Sequence, residues 1–93
     1  MYAIAFDLDT ELLQKSYQSA SWNNAYSEIR KALETQGFNW QQGSVYFGGA
    51  DMTAVKCVIA VQKVSQQFQW FKVCVRDIRM LRIEEVNDLS PAL

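Results

Sequence analysis

Bulky apolar residues alternate with small or polar ones from the second residue of the chain onward. Over 2–8, Tyr2, Ile4, Phe6 and Leu8 fall on one side of an extended backbone, and Ala3, Ala5 and Asp7 fall on the other. A strand this apolar predicts a central place in a sheet. Its other side is small, small, then charged. A carboxylate at the end of a central strand is costly if buried without a partner. The pattern therefore sets Asp7 at the border of the core, beside solvent, a metal, a cation or a second subunit.

The period then changes. Asp9 is placed to cap a short helix over Thr10–Ser16, with Glu11 in its first turn. A polar break follows. Trp22, Ala25, Tyr26, Ile29, Ala32 and Leu33 next repeat at helical spacing, which predicts a helix over 22–36, capped by Ser19 or Ser21 and stopped at Gly37. Phe38 and Trp40 alternate, the 41–43 segment with Gly43 forms a turn, and Val45 and Phe47 alternate against Ser44 and Tyr46, so 38–47 reads as a β-hairpin. The Gly48-Gly49 pair lacks the spacing and the lysine of a phosphate-binding loop. A third helix is expected over 51–66, capped by Asp51 or Thr53. Its inner stripe would be Ala54, Cys57, Val58, Val61 and Val64, widened by Val55 and Ile59. Phe68, Trp70 and Phe71 form an aromatic hinge that covers one end of the core. A last strand is expected over 75–86, with charge on both sides, as suits an edge or a bulged strand.

Strand, helix, strand, strand, helix, strand is the split βαβ order of an α+β ferredoxin-like sandwich. Right-handed crossovers put the first and third strands in the middle of a four-stranded antiparallel sheet and both main helices on one face. The helices are expected on the Ile4, Phe6, Val45 and Phe47 side. Ala3, Ala5, Asp7, Ser44 and Tyr46 would then share a bare face, where small residues allow a second copy to approach and bring two Asp7 side chains to one cleft.

Composition narrows the chemistry. Ninety-three residues, 49% hydrophobic, suit a single domain over 1–93, with a tail from about residue 89 expected to be disordered. A domain this small gains from oligomerisation. No apolar run approaches the roughly 18 residues of a membrane helix, so the chain is expected to be cytoplasmic, with Cys57 and Cys74 reduced. The net charge of −1 does not mark a nucleic-acid binder, yet 72–82 holds Lys72, Arg76, Arg79 and Arg82 against Asp77 alone. That run reads either as a phosphate-binding surface or as an edge strand guarded by its charges. The chain has no histidine, which removes the Ser-His-Asp and Cys-His arrangements and nearly all zinc sites. Catalysis, if present, must run on carboxylates, a hydroxyl, Lys, Arg or a hard metal. Asp7 reads equally as a structural cap or as a ligand for Mg²⁺, which takes oxygen donors. Asp9 reads as a cap.

Three blocks carry a resemblance. The opening Met1-Tyr2-Ala3-Ile4-Ala5-Phe6-Asp7-Leu8, the stretch from Gly37-Phe38-Asn39-Trp40 through Gly43-Ser44-Val45-Tyr46, and Trp70-Phe71-Lys72 with Val75-Arg76-Asp77-Ile78-Arg79 closely resemble the VapD family of virulence-associated proteins, in order and over about residues 1–88. The resemblance implies a ferredoxin-like homodimer similar to the small CRISPR-associated endoribonucleases. It also implies an endoribonuclease, the toxin of a bacterial toxin–antitoxin pair with a small antitoxin protein as partner; the substrate expected of this chain is single-stranded RNA or mRNA. The family's catalytic candidate, the acid ending the first strand, maps onto Asp7, with Ser44, Tyr46, Arg76 and Asp77 beside the site; Arg76 and Arg79 are in turn expected to hold RNA phosphates. The rival expectations are a non-catalytic dimeric module that occupies RNA, DNA or a protein, and a plain structural interaction protein.

Overall fold

The computed structural model describes residues 1–17 and 21–93. The chain runs β1 (Tyr2–Leu8), α1 (Thr10–Ser16), α2 (Asn24–Thr35), β2 (Phe38–Gln42), β3 (Val45–Gly48), α3 (Ala54–Gln67), α4 (Gln69–Cys74) and β4 (Val75–Arg82), and ends in a 3₁₀ turn at Ser90–Ala92. The sheet order is β2-β3-β1-β4, with every neighbouring pair antiparallel. This is the ferredoxin-like arrangement, with β1 and β3 in the middle. Ile4, Phe6 and Leu8 of β1 meet Ile29 and Leu33 of α2, Cys57 and Val64 of α3, and Phe71 of α4 in one buried cluster.

Local chemistry explains the element ends. The Leu12 N–H donates to Asp9 Oδ1 at 3.1 Å, and the Lys56 N–H donates to Thr53 Oγ1 at 3.1 Å, so Asp9 and Thr53 are the caps and Asp51 is not. At α2 the flanking residue is Asn23, with no side-chain cap bond. Ser21 supplies only its carbonyl, to the Asn24 N–H at 3.1 Å, and Ser19 lies outside the described residues. Gly37 ends that region with φ +93°, a conformation other residues rarely adopt. Both cysteines are buried thiols with no disulfide.

The faces of β3 are the reverse of those expected. Ile4 lies across from Tyr46 and Ala5 across from Val45. Cross-strand partners share a face, so Tyr46 sits under the helices, while Val45 and Phe47 stand with Ala3 and Ala5 on the open side. The reason is packing. The Tyr46 ring stacks on Phe6 with centroids 6.0 Å apart and is only 2% exposed. Three consecutive large residues, Val45, Tyr46 and Phe47, satisfy either orientation, and the register with β1 decides between them.

Other departures share that cause. The inward residues of α3 are Cys57, Ala60 and Val64, while Val55, Val58 and Ile59 face outward. Its apolar residues surround the helix, so their spacing did not single out a face. The aromatic hinge is the separate helix α4. Its Phe71 ring meets Phe6 edge-on at 5.8 Å, and Trp70 meets Tyr17 edge-on at 5.4 Å. β4 stops at Arg82, short of residue 86.

Candidate active site

β1 delivers its carboxylate to the open face beside the edge strand. Asp7 is exposed and lies directly across from Asp77 of β4. Like charges in that relation repel. The sheet supplies the counter-charge two residues along. Arg79 Nε donates to both carboxylate oxygens of Asp77, at 3.2 and 3.1 Å. Asp77 and Arg79 share a face because they are two apart on a strand, and Arg79 lies across from Ala5, whose small side chain leaves room beside it. The ion pair is open to water, with side chains 55% and 71% exposed, so it contributes little to stability. Among the described residues the Asp7 carboxylate has no hydrogen bond or ion pair.

A bulge shapes the end of this ladder. Asp7 pairs with Asp77, yet Leu8 pairs with Val75, which leaves Arg76 as the extra, exposed residue. Ser44 closes the other side through its backbone, whose carbonyl accepts from the Phe6 N–H at 3.1 Å. Asp7, Ser44, Arg76, Asp77 and Arg79 therefore gather at one end of the sheet. Asp9 stands apart as a helix cap.

Tyr46 does not join them. It lies on the covered face, and burial, its main influence, pushes the phenol up, opposed by a hydrogen bond and the charge of Arg30. The Arg30 guanidinium sits 3.8 Å from the centre of the Trp40 ring, forming a cation–π stack over β2. Tyr46, Arg30 and Trp40 thus brace the sheet from the side opposite Asp7.

Tyr26 of α2 is, by its spacing, one of that helix's apolar residues. Burial chiefly raises its phenol, and the charges of Asp7 and then Cys74 push in the same direction. Its place on the helical stripe is legible in the sequence, but the influence of Asp7 on it depends on the tertiary fold.

The donor set at the site is all oxygen. Two carboxylates per protomer suit a hard cation such as Mg²⁺ in kind. Among the described residues no group of three or more His, Cys, Asp or Glu side chains is gathered to hold a metal. Further oxygens would have to come from outside the protomer.

Such a site, an acid at the end of the first strand of a small ferredoxin-like sheet with arginines on the adjacent edge, defines a class of compact α+β proteins with an open charged sheet face. The match to the family model described as CRISPR associated protein Cas2 spans residues 1–87, and the chain belongs to that family. Its curated relatives include "Endoribonuclease VapD 2" of Riemerella anatipestifer, 53% identical over 93 residues that cover 100% of this chain and 99% of the relative. "Endoribonuclease VapD homolog" of Helicobacter pylori (strain ATCC 700392 / 26695) is also 53% identical, covering 100% and 96%. "Endoribonuclease VapD" of Haemophilus influenzae (strain ATCC 51907 / DSM 11121 / KW20 / Rd) is 34% identical, covering 97% and 94%.

Proposed function

We propose that this chain is an endoribonuclease of the VapD type that cuts single-stranded RNA or mRNA as a cytoplasmic homodimer. It would serve as the toxin of a bacterial toxin–antitoxin pair whose antitoxin is a small protein. The observation that carries the catalytic reading is the unpartnered, exposed Asp7 carboxylate facing the Asp77–Arg79 pair across β1 and β4. The names of the full-length relatives supply the substrate class.

In this reading Arg76 and Arg79 hold RNA phosphates, as charge-assisted donors on an exposed edge. Asp7 orients or polarises the attacking group, which is water or the RNA's own 2′-hydroxyl. Attack on phosphorus breaks the P–O5′ bond or, for water, one of the two ester bonds. With no histidine in the sequence, the carboxylates are the proton acceptors proposed at this site. Asp7 would hold Mg²⁺, whose chemistry is to neutralise phosphate charge and acidify a bound water. The Asp7 of a second copy and the phosphate itself would complete the oxygen set. The dimer would form through the open face, where Ala3, Ala5, Val45, Phe47 and Leu81 lie side by side. Tyr46, buried on the other side, takes no part in stacking on RNA.

The test is cleavage of single-stranded RNA by the parent and by Asp7→Asn, purified identically, each with Mg²⁺ and with EDTA. The expected result is cutting by the parent and a loss of about a hundredfold or more in the variant, the scale of a lost acid–base group. Equal cutting by a folded Asp7→Asn protein removes the assignment. Parent activity that survives EDTA removes the metal and keeps the 2′-hydroxyl route. Saturable, salt-sensitive binding without any cutting replaces the enzyme with the binding module.

A further inference from the structure

We propose that the cleft where α1, α2 and α4 meet is a docking pocket for one arginine side chain, carried on an acid-flanked segment of a partner protein. The proposal rests on the cleft itself and stands whether or not the chain cuts RNA.

The cleft holds about 610 Å³, with Tyr17 at the end of α1, Glu28 of α2, and Phe68, Trp70 and Val73 at α4 among its walls. Its aromatic side is a cluster of three rings. Trp70 stacks on Phe68 with centroids 5.2 Å apart and meets Tyr17 edge-on at 5.4 Å. All three rings are half-buried, so each keeps surface that its neighbours in the chain do not cover.

Among the described residues, Glu28 is the one charged side chain that lines the cleft. The Tyr17 hydroxyl donates to it: burial chiefly raises the Tyr17 phenol, and this hydrogen bond and the Glu28 charge push in the same direction. The bond uses only part of a carboxylate that can accept about four, and it brings no positive charge. Glu28 has no ion pair among the described residues. It is half-buried, on a helix whose buried residues include its neighbours Ala25, Ile29 and Ala32. A carboxylate held in that setting without a cation is costly, and an apolar side chain would serve the fold as well. Aromatic rings beside an unpaired carboxylate select an organic cation. A guanidinium meets both, because its plane stacks on a ring and its fork matches a carboxylate.

The surroundings select the carrier. A cleft of about 340 Å³ shares Glu28 and Phe68 with the first and adds Lys31. Another of about 630 Å³ shares Val73 with it and adds Lys72. These two have no lining residue in common, so the two lysines adjoin the central cleft separately. They repel a polyamine, which carries several positive charges, and attract acids. RNA phosphates would suit the lysines, but RNA brings no cation to Glu28. One cation between acids is the complementary pattern, and a protein segment supplies it. Tyr, Trp and Arg are also the side chains that dominate binding energy at protein interfaces.

The experiment uses the full chain labelled with ¹⁵N and follows the Trp70 indole N–H, identified by its loss in Trp70→Phe. The probe is the peptide acetyl-Asp-Gly-Arg-Gly-Asp-amide at low salt. A saturable shift is expected, half complete at about 1 mM or below. Replacing the peptide's arginine with glutamine, or the protein's Glu28 with glutamine (Glu28→Gln), should weaken binding about tenfold, with the spectrum verifying that the variant is folded. Asp7→Asn should bind the peptide like the parent, which separates this cleft from the cleavage reading. No shift by about 10 mM peptide, or equal binding by Glu28→Gln, overturns the proposal. So does spermidine that saturates the same signal at lower concentration than the peptide, which would make the cleft a polyamine site. A single-stranded RNA decamer that displaces the peptide from Asp7→Asn at lower concentration than free arginine amide does would make it part of an RNA track, and also overturns it. RNA cleavage measured on the same samples reports separately on Asp7.

Discussion

β1 and β4 are neighbours in one sheet and are built on opposite principles. Every second residue of β1 enters the core: Ile4, Phe6 and Leu8 are buried, and even Ala3 on the other side is covered. β4 buries none of its eight residues fully, and charge stands on both its sides. The central strand takes its order from packing. The edge strand takes its order from β1, through the register that sets Asp77 across from Asp7. In the proposed function a catalytic Asp7 would gain from this division, because the rigid strand positions it and the exposed strand leaves its surroundings open to substrate.

Substitutions on the two strands should therefore differ in kind. Phe6→Ala removes a ring packed on both Tyr46 and Phe71. It should cost about 3–5 kcal/mol, read as a fall in urea midpoint. A loss below about 1 kcal/mol would mean that the core does not depend on β1 in this way. Alkaline unfolding gives a second view. Burial raises the Cys57 and Cys74 thiols above their ordinary 9.0 and the Tyr26 and Tyr46 phenols above 10.0. The folded state holds these protons more tightly, so stability is full below pH 9 and falls as pH rises through the raised values. Cys57→Ala with Cys74→Ala should flatten the part of that fall that begins near pH 9. An unchanged profile would show that the thiols are not the groups that titrate.

On β4 the expected losses are functional. Arg79→Ala should leave the urea midpoint almost unchanged, because the ion pair is exposed. It should weaken RNA binding and reduce the slope of log K against log salt by about 0.7, the value for one phosphate contact on a single strand. An unchanged slope would take Arg79 out of the RNA-binding surface. The smallest effect is the most discriminating. Asp7→Asn removes one of two facing carboxylates and should raise stability by about 0.2–1 kcal/mol. Destabilisation instead would identify Asp7 as a structural cap.

The same division explains what could be read from the sequence. Strand β1, the Asp9 and Thr53 caps, the stop at Gly37 and the order of elements all rest on local chemistry, and they stand in the fold as their residues indicate. The orientation of β3 does not. Val45, Tyr46 and Phe47 give an apolar residue to each face, and only pairing with Ile4 and Ala5 chooses between them. The stripe of α3 was legible only in part: Cys57, Val61 and Val64 face the core as their spacing indicates, but Val58 is exposed, as are Val55 and Ile59, and the small Ala60 is inward instead. The gathering of Asp7, Asp77 and Arg79 was partly legible: the acids and arginines stood out, but the cross-strand partnership needed the register. Tyr26 shows the limit most plainly. Its spacing assigns it to a helix, and nothing local reports that the charge of Asp7 acts on its phenol.

Arg76 occupies a position of a different sort. As the spare residue of the bulge it belongs to neither face, so the core has no stake in which side chain stands there. Such a position can change over evolutionary time with little cost to folding, while remaining next to the acids. In the proposed function, this is a place at which drift can alter what the site grips without retuning the scaffold beneath it.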